Sequence, residues 1–265
     1  MIRHDTPPPE VDRADHQLAS DLAEGAAELL VSLRDKLESD GEPPYRIKAL
    51  GDAVANRWIL DRLAEVRPDD PVLSEEQYEH PEGVRARLNA AKTWIIDPLD
   101  GTREFSEIPR VDWAVHIAIA VDHVAAAGAV SLPALGETYT TLHPAVVPPH
   151  DGPPRLVVSR TRPAYEAMAI REALDGVLVP MGSAGAKTMA ILRGEADIYA
   201  HSGGQYEWDS CAPVAVAAAA GLWVSRLDGS PLRYNQPDPY LPDLLICRPE
   251  MADVALKAAN SPYGF

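Results

Sequence analysis

An apolar run, Thr93-Trp94-Ile95-Ile96, passes directly into Asp97-Pro98-Leu99-Asp100-Gly101-Thr102. The run reads as a buried strand, and the proline removes a ladder donor and fixes a turn. Two carboxylates three residues apart are thus delivered to one strand end. Gly101 permits tight backbone close to a ligand. The amides of Gly101 and Thr102 can open a helix toward an anion, and the Thr102 hydroxyl can position a water.

Other acids stand at similar boundaries. Glu75 follows the short strand candidate Pro71-Val72-Leu73, and Asp209 opens an alanine-rich helix expected over Ser210 to Ala220. Carboxylates gathered from several strand ends repel one another unless cations neutralise them. Mg²⁺ suits such a cluster, because it takes hard oxygen ligands and leaves room for water and phosphate. A pair of ions can clamp a phosphate and acidify an attacking water.

The rest of the chain is consistent with a large globular fold. It has 265 residues, 46% of them hydrophobic, which is enough to bury a sizeable core. The formal charge of −16 gives no basic footprint for nucleic acid. The polar, proline-containing start, Met1 to Glu10, leads us to expect no secretory signal, and the lack of a long uninterrupted apolar stretch no membrane span. Cys211 and Cys247 form no CxxC pair and read as buried thiols of a reducing cytoplasm.

Residues 1 to 10 are expected to be a flexible tail. Helical spacing of Leu18, Leu22, Ala26, Leu29, Leu30 and Leu33 predicts a long helix over Val11 to Glu38, and a second follows over Asp52 to Val66. A polar, helical excursion separates Glu76 from Thr93. Trp113 to Val121, Ala125 to Ser131 and Glu137 to Thr141 read as antiparallel strands, closing an α+β first half over 11 to 142. A Pro-rich linker spans 143 to 154. The second half, 155 to 265, alternates strand and helix in the α/β manner. Strands are expected at 156–158, 177–179, 197–200, 222–224 and 244–246, and helices at 164–174, 184–192 and 210–220.

Ile95 to Thr102 resembles the signature of the superfamily that contains inositol monophosphatases, fructose-1,6-bisphosphatases and nucleotide phosphatases. Leu73-Ser74-Glu75-Glu76 resembles its upstream Gly-Glu-Glu motif, with Ser74 in place of Gly, and Trp208-Asp209 its downstream Trp-Asp motif. The resemblance implies a layered αβαβα sandwich with the site between the halves. It implies two or three Mg²⁺ ions held by Glu75, Asp97, the Leu99 carbonyl, Asp100 and Asp209. Glu75, Thr102 and Asp52 would be catalytic, with Asp52 and Thr102 orienting and deprotonating the nucleophilic water. Asp52 lies in Gly51-Asp52-Ala53, which resembles the family's helix-starting Asp segment; the plain alternative is a helix N-cap. The segment Arg46 to Leu50 departs from the family's Ser-Pro-Val-Thr run.

Thr102-Arg103-Glu104-Phe105 resembles the Gly-Thr-Lys-Glu-Phe run of CysQ-type 3′-phosphoadenosine 5′-phosphate phosphatases, where inositol monophosphatases carry Thr-Asn-Phe. Gly182 to Lys187 and Gly203 to Asp209 resemble the same branch, the latter its actinobacterial members. The implied activity is Mg²⁺-dependent hydrolysis of the 3′-phosphate of a nucleotide bisphosphate in sulfate assimilation. The alternatives are an inositol monophosphatase, a fructose-1,6-bisphosphatase or a non-catalytic phospholigand-binding protein. Substrate contacts are expected from Gly101, Thr102, Ser159, Arg160, Gly182, Ser183, Lys187 and Asp209. The competing readings are a solvated helix residue for Lys187 and surface charges for Arg160 and Arg162. The resemblance further implies a homodimer and inhibition by Li⁺. His116 and His201 have no metal-ligand spacing and read as structural.

Overall fold

The computed structural model describes residues 9–77 and 81–261. Most of the tail expected over 1 to 10 lies outside the described residues. The first helix, α1 (Arg13–Ser39), buries Leu22, Ala23, Ala26 and Leu30 on one face. The second, α2 (Pro44–Val66), begins eight residues earlier than its apolar spacing suggests. Pro44 occupies its first turn, where no intrahelical donor is lost. Asp52 therefore sits well inside a helix, which removes the N-cap reading.

Then follow β1 (Val72–Ser74), α3 (Pro81–Leu88), β2 (Lys92–Asp100), α4 (Thr102–Ser106), β3 (Ala114–Val121), β4 (Val124–Leu132) and β5 (Glu137–Thr140). These strands form one sheet in the order β1-β2-β3-β4-β5, with β1 parallel to β2 and the others antiparallel. The strand carrying the acids does not stop at Asp97. It runs on to Asp100, and its register against β3 shifts between those two residues. That irregularity lets both acids serve one site.

The second sheet holds β6 (Arg155–Ser159), β7 (Val177–Met181), β8 (Ile198–Tyr206), β9 (Trp223–Ser225) and β10 (Tyr240–Cys247), in the order β7-β6-β8-β10-β9. Its helices are α5 (Tyr165–Ala173), α6 (Ala184–Leu192), α7 (Glu207–Ala219) and α8 (Ala252–Ala259). Only β7, β6 and β8 are mutually parallel; β10 runs antiparallel to both its neighbours. The second half is thus mixed rather than purely wound from βα units.

Two-residue periodicity sorts the first sheet into faces. Trp94, Ile96, Val115, Ile117 and Ile119 pack against α1 and α2. Ile95, Ala114, Ala118 and Ala120 pack the other way, with side chains of α6, α7 and the second sheet. Small residues on that face let α7 come close: a Cβ on Gly128 would lie 3.2 Å from Ala212 Cα. The far face of the second sheet is covered by α5 and α8. The layers therefore run α1/α2, sheet, α6/α7, sheet, α5/α8, the αβαβα sandwich expected. Among the described residues no helix is long and apolar enough to cross a membrane.

Candidate active site

Three elements bring the acids together. The end of β2 supplies Asp97 and Asp100, and the first turn of α7 supplies Asp209. One carboxylate oxygen from each lies within 4.8 Å of the others. Glu75 follows β1, which pairs in parallel with β2, and its amide donates to Ile96 O at 3.3 Å. Its carboxyl shares a hydrogen bond with Asp97. Asp209 sits in the third position of α7 rather than at its opening, and its Oδ2 accepts from the Tyr206 amide at 2.6 Å.

Crowding shows in the protonation equilibria. Burial, followed by the charges of Asp100, Glu76 and Asp52, raises Glu75 to about 7 despite its bond with Asp97. Burial and then Asp100 and Glu75 raise Asp209 to about 7 against the stabilising Tyr206 amide. Asp97 is pushed well above the ordinary carboxylate range by burial and by Glu75, Asp100 and Asp209. Asp100 goes the other way. Burial alone would raise it, but His116, Lys187 and Ser183 hold it low. An all-oxygen donor set whose members resist joint ionisation fits a hard divalent cation.

Asp100 is held on three sides. Its Oδ2 accepts from Ser183 Oγ at 2.5 Å and from the Gly185 amide at 2.7 Å, and His116 Nε2 lies 3.1 Å away. Ser183 caps α6 by accepting from the Ala186 amide and stands at φ 43°, a left-handed value uncommon for a residue with a side chain. A Cβ on Gly185 would fall 2.2 Å from His116 Nε2, so glycine is required there.

Thr102 opens α4, with Gly101 in left-handed conformation as its N-cap. Thr102 Oγ1 lies 3.2 Å from Asp52 Oδ1 and 3.1 Å from the Leu99 carbonyl. Burial and the neighbouring Glu76 raise Asp52 to about 7, against the Thr102 hydrogen bond and Lys48. From Asp97 to Thr102 the chain thus presents acids, a carbonyl and a hydroxyl to one place.

The second half contributes unevenly. Lys187 is not a solvated helix residue. It is 5% exposed, and its Nζ donates to the carbonyls of Gly182 and Ser183 at 3.1 and 2.8 Å. It also lies over the Tyr199 ring. Burial lowers its pKa, opposed by Asp100, Glu104 and other acids. Arg160 is not presented as an open anion ligand: its guanidinium is paired with Glu104 and Glu107. Ser159 does line a cavity of about 230 Å³, together with Arg162, Tyr165, His201, Ser202 and Gly203. His201 feels Lys187 from that cavity. Burial, then the Lys187 charge, lowers it to about 4, and its Nε2 is buried without a hydrogen-bond partner. A wider groove of about 1570 Å³ is lined by α7 and β9 side chains with Asp15, His16 and Lys92; none of the acidic cluster borders it.

The sequence read His116 as structural and gave Glu104 no role of its own; the structure places both beside the acidic segment. His116 Nδ1 reaches the Trp208 carbonyl at 3.1 Å while Nε2 faces Asp100, so one buried ring joins the Asp100 and Asp209 segments. The signal for it was a polar residue amid the apolar run of β3. Glu104, on α4, reaches Arg160 just beyond β6, and only its place in the Thr-Arg-Glu-Phe run pointed to it.

The chain belongs to the inositol monophosphatase family, a family of metal-dependent enzymes whose model matches residues 10–260. It is 46% identical over 269 residues to a 3′-phosphoadenosine 5′-phosphate phosphatase of Mycobacterium leprae, covering 97% of each chain. It is 49% identical over 246 residues to the protein of the same name in Mycobacterium bovis, covering 88% of each. In fold it is similar to CysQ from Bacteroides thetaiotaomicron, with TM-score 0.75, 24% identity and coverage of 89% of this chain and 97% of that one.

Proposed function

We propose that this chain is a Mg²⁺-dependent phosphomonoesterase that releases the 3′-phosphate of 3′-phosphoadenosine 5′-phosphate, yielding AMP and inorganic phosphate. The observation that carries the reading is the convergence of Asp97, Asp100 and Asp209 within 4.8 Å, in a chain closely related to enzymes of that name. Glu75, Asp97, the Leu99 carbonyl, Asp100 and Asp209 would hold two or three Mg²⁺ ions. Bound Mg²⁺ supplies charge stabilisation for the phosphoryl group and acidifies water.

The protein's own groups do the rest. Thr102 orients the attacking water, and Asp52 takes its proton. Burial raises the pKa of this carboxyl and makes it a stronger base than an exposed aspartate. The water oxygen bonds to phosphorus as the ester P–O bond breaks, and the 3′ oxygen leaves and is protonated. Gly101 and Thr102 at the start of α4 face the phosphate. Asp209 and the turn Gly182-Ser183, braced by Lys187, border the leaving nucleoside. Ser159 and Arg162 face the second phosphate, an assignment that moves the cation from Arg160 to Arg162 because no ion pair among the described residues occupies the Arg162 guanidinium.

A cytoplasmic setting fits the buried free thiols Cys211 and Cys247. A homodimer fits the exposed Tyr165, Met168 and Val177 on α5 and edge strand β7. A place in sulfur metabolism and inhibition by Li⁺ belong to the same reading. The test is product identity. With Mg²⁺ the purified protein should convert the bisphosphate to AMP and phosphate, and a chelator should stop it. Release of adenosine 3′-phosphate, or undiminished turnover in chelator, contradicts the proposal.

A further inference from the structure

The Arg160 guanidinium sends Nε to Glu104 Oε1 at 3.1 Å, Nη2 to the same oxygen, and Nη2 to Glu107 Oε2 at 3.0 Å. Arg160 lies just beyond β6 in the second half, whereas Glu104 lies on α4, immediately after the acidic loop. The Glu104 side chain is 10% exposed, whereas Arg160 and Glu107 are 22% and 37% exposed, so the contact is shielded from water on the Glu104 side only. Glu104 also fills the space beside Gly182. A Cβ there would lie 2.3 Å from Glu104 Cγ and Cδ. The Gly182 amide in turn donates to buried Asp112 Oδ2 at 2.6 Å. From the other side, buried Arg34 of α1 donates to the carbonyls of Phe105 at 2.7 Å and Glu104 at 3.4 Å, fixing α4.

Glu104 is therefore the point where the α4 segment, the Gly182 turn and the Ser159–Arg162 loop meet. Arg160 stands between Ser159 and Arg162, both of which line the 230 Å³ cavity. Holding Arg160 outward on Glu104 fixes the loop on either side of it. Ser159 Oγ accepts from the Arg162 amide at 3.3 Å, which tightens the same turn.

We propose that Glu104 and Arg160 form a latch between the two halves that positions Ser159 and Arg162 for the second anionic group of the substrate. Arg160 acts through its neighbours and is a positioning residue, not a ligand of that group. The latch gives Glu104 of the Thr-Arg-Glu-Phe run a physical role, linking the segment that handles the scissile phosphate to the loop that reads the rest of the substrate. The proposal rests on the function proposed above.

The test is a double-mutant cycle with E104Q, R160Q and the double variant. Glutamine keeps the shape of Glu104 beside Gly182 and removes only the charge, and thermal melting of each variant checks folding. KM and kcat are measured for 3′-phosphoadenosine 5′-phosphate and for adenosine 3′-phosphate, which lacks the second phosphate. The latch predicts that both single variants and the double raise KM for the bisphosphate by the same factor, roughly tenfold, as misplacement of binding groups does. KM for the monophosphate and both kcat values should stay within about twofold. If Arg160 binds the phosphate directly, R160Q raises KM while E104Q leaves or lowers it, and the latch is overturned. Equal KM changes for both substrates overturn it as well. A wild-type enzyme that does not favour the bisphosphate contradicts the proposed function instead. The cycle is then read on the best ester, where additive or absent KM effects overturn the latch.

Discussion

At the residue scale, Asp100 is the acid of the cluster that is held on three sides. One oxygen is committed to Ser183 and the Gly185 amide, and His116 and Lys187 keep the group ionised. Asp100→Asn keeps the shape but loses the charge. We expect kcat to fall by roughly a thousandfold, as several kcal/mol of transition-state stabilisation disappear, with the melting temperature little lowered. Phosphate release and thermal melting on the same sample check this. Gly185→Ala should damage both properties, because the new methyl would collide with His116 Nε2 and meet Ala114 Cβ at 3.0 Å. Overpacking of this kind costs about 1–3 kcal/mol. The clustering of Asp97 and Asp100 was legible because one short segment carries both. His116 was not, because its partners are Asp100 and Trp208, reached only when β2, β3 and α7 come together.

Elements decide how those residues meet. The early start of α2 at Pro44 places Asp52 two turns inside a helix, facing Thr102 at the head of α4. The stretch Arg46 to Leu50 hid that start, since only Ile47 within it is buried and its apolar residues trace no clear face. The consequence is a pH dependence. Asp52 can take a proton only when ionised, and burial raises its pKa to about 7. Bound Mg²⁺ favours the ionised carboxylate, so kcat/KM should rise with pH along a limb centred below about 7, and Asp52→Asn should lower the rate and flatten that limb. A limb that persists in the variant would assign it to another group. The strand order of the second sheet was equally hidden. Alternating βα units suggested a wound sheet, but β10 returns antiparallel between β8 and β9, a pairing that no local pattern announces.

The whole molecule is tied together by another buried carboxylate. Asp197, fully buried, accepts from Arg155 through the amide and guanidinium and from Arg248 Nε at 2.7 Å. Arg248 also donates to the Pro148 carbonyl at 2.7 Å, fastening the proline-rich connection to the second sheet. Asp197→Asn leaves two arginines short of a counter-charge and should destabilise the fold by about 3 kcal/mol, measured by urea unfolding at neutral pH. Burial opposes ionisation of Asp197, but its arginine partners hold the folded-state pKa below the ordinary 3.8. The stabilisation is thus complete above that ordinary value and is lost as pH falls through the lower folded one. The difference between wild type and variant should therefore shrink only in strong acid. The layered architecture followed from the motif resemblance, whereas the sharing of one core by both sheets is a tertiary property. Leu73 and Ile95 pack in the same cluster as Met189, Cys211 and Leu244. Mg²⁺ should also stabilise the whole fold by relieving repulsion among Glu75, Asp97 and Asp209, raising the melting temperature with concentration. That shift should vanish in a variant lacking Asp97.

The decisive comparison is kcat/KM with Mg²⁺ for 3′-phosphoadenosine 5′-phosphate, inositol 1-phosphate and fructose 1,6-bisphosphate on one preparation. A preference for the nucleotide of about tenfold or more is expected. A preference for either other ester would contradict the proposed substrate, and no turnover of any of the three with Mg²⁺ bound would contradict the proposed hydrolase.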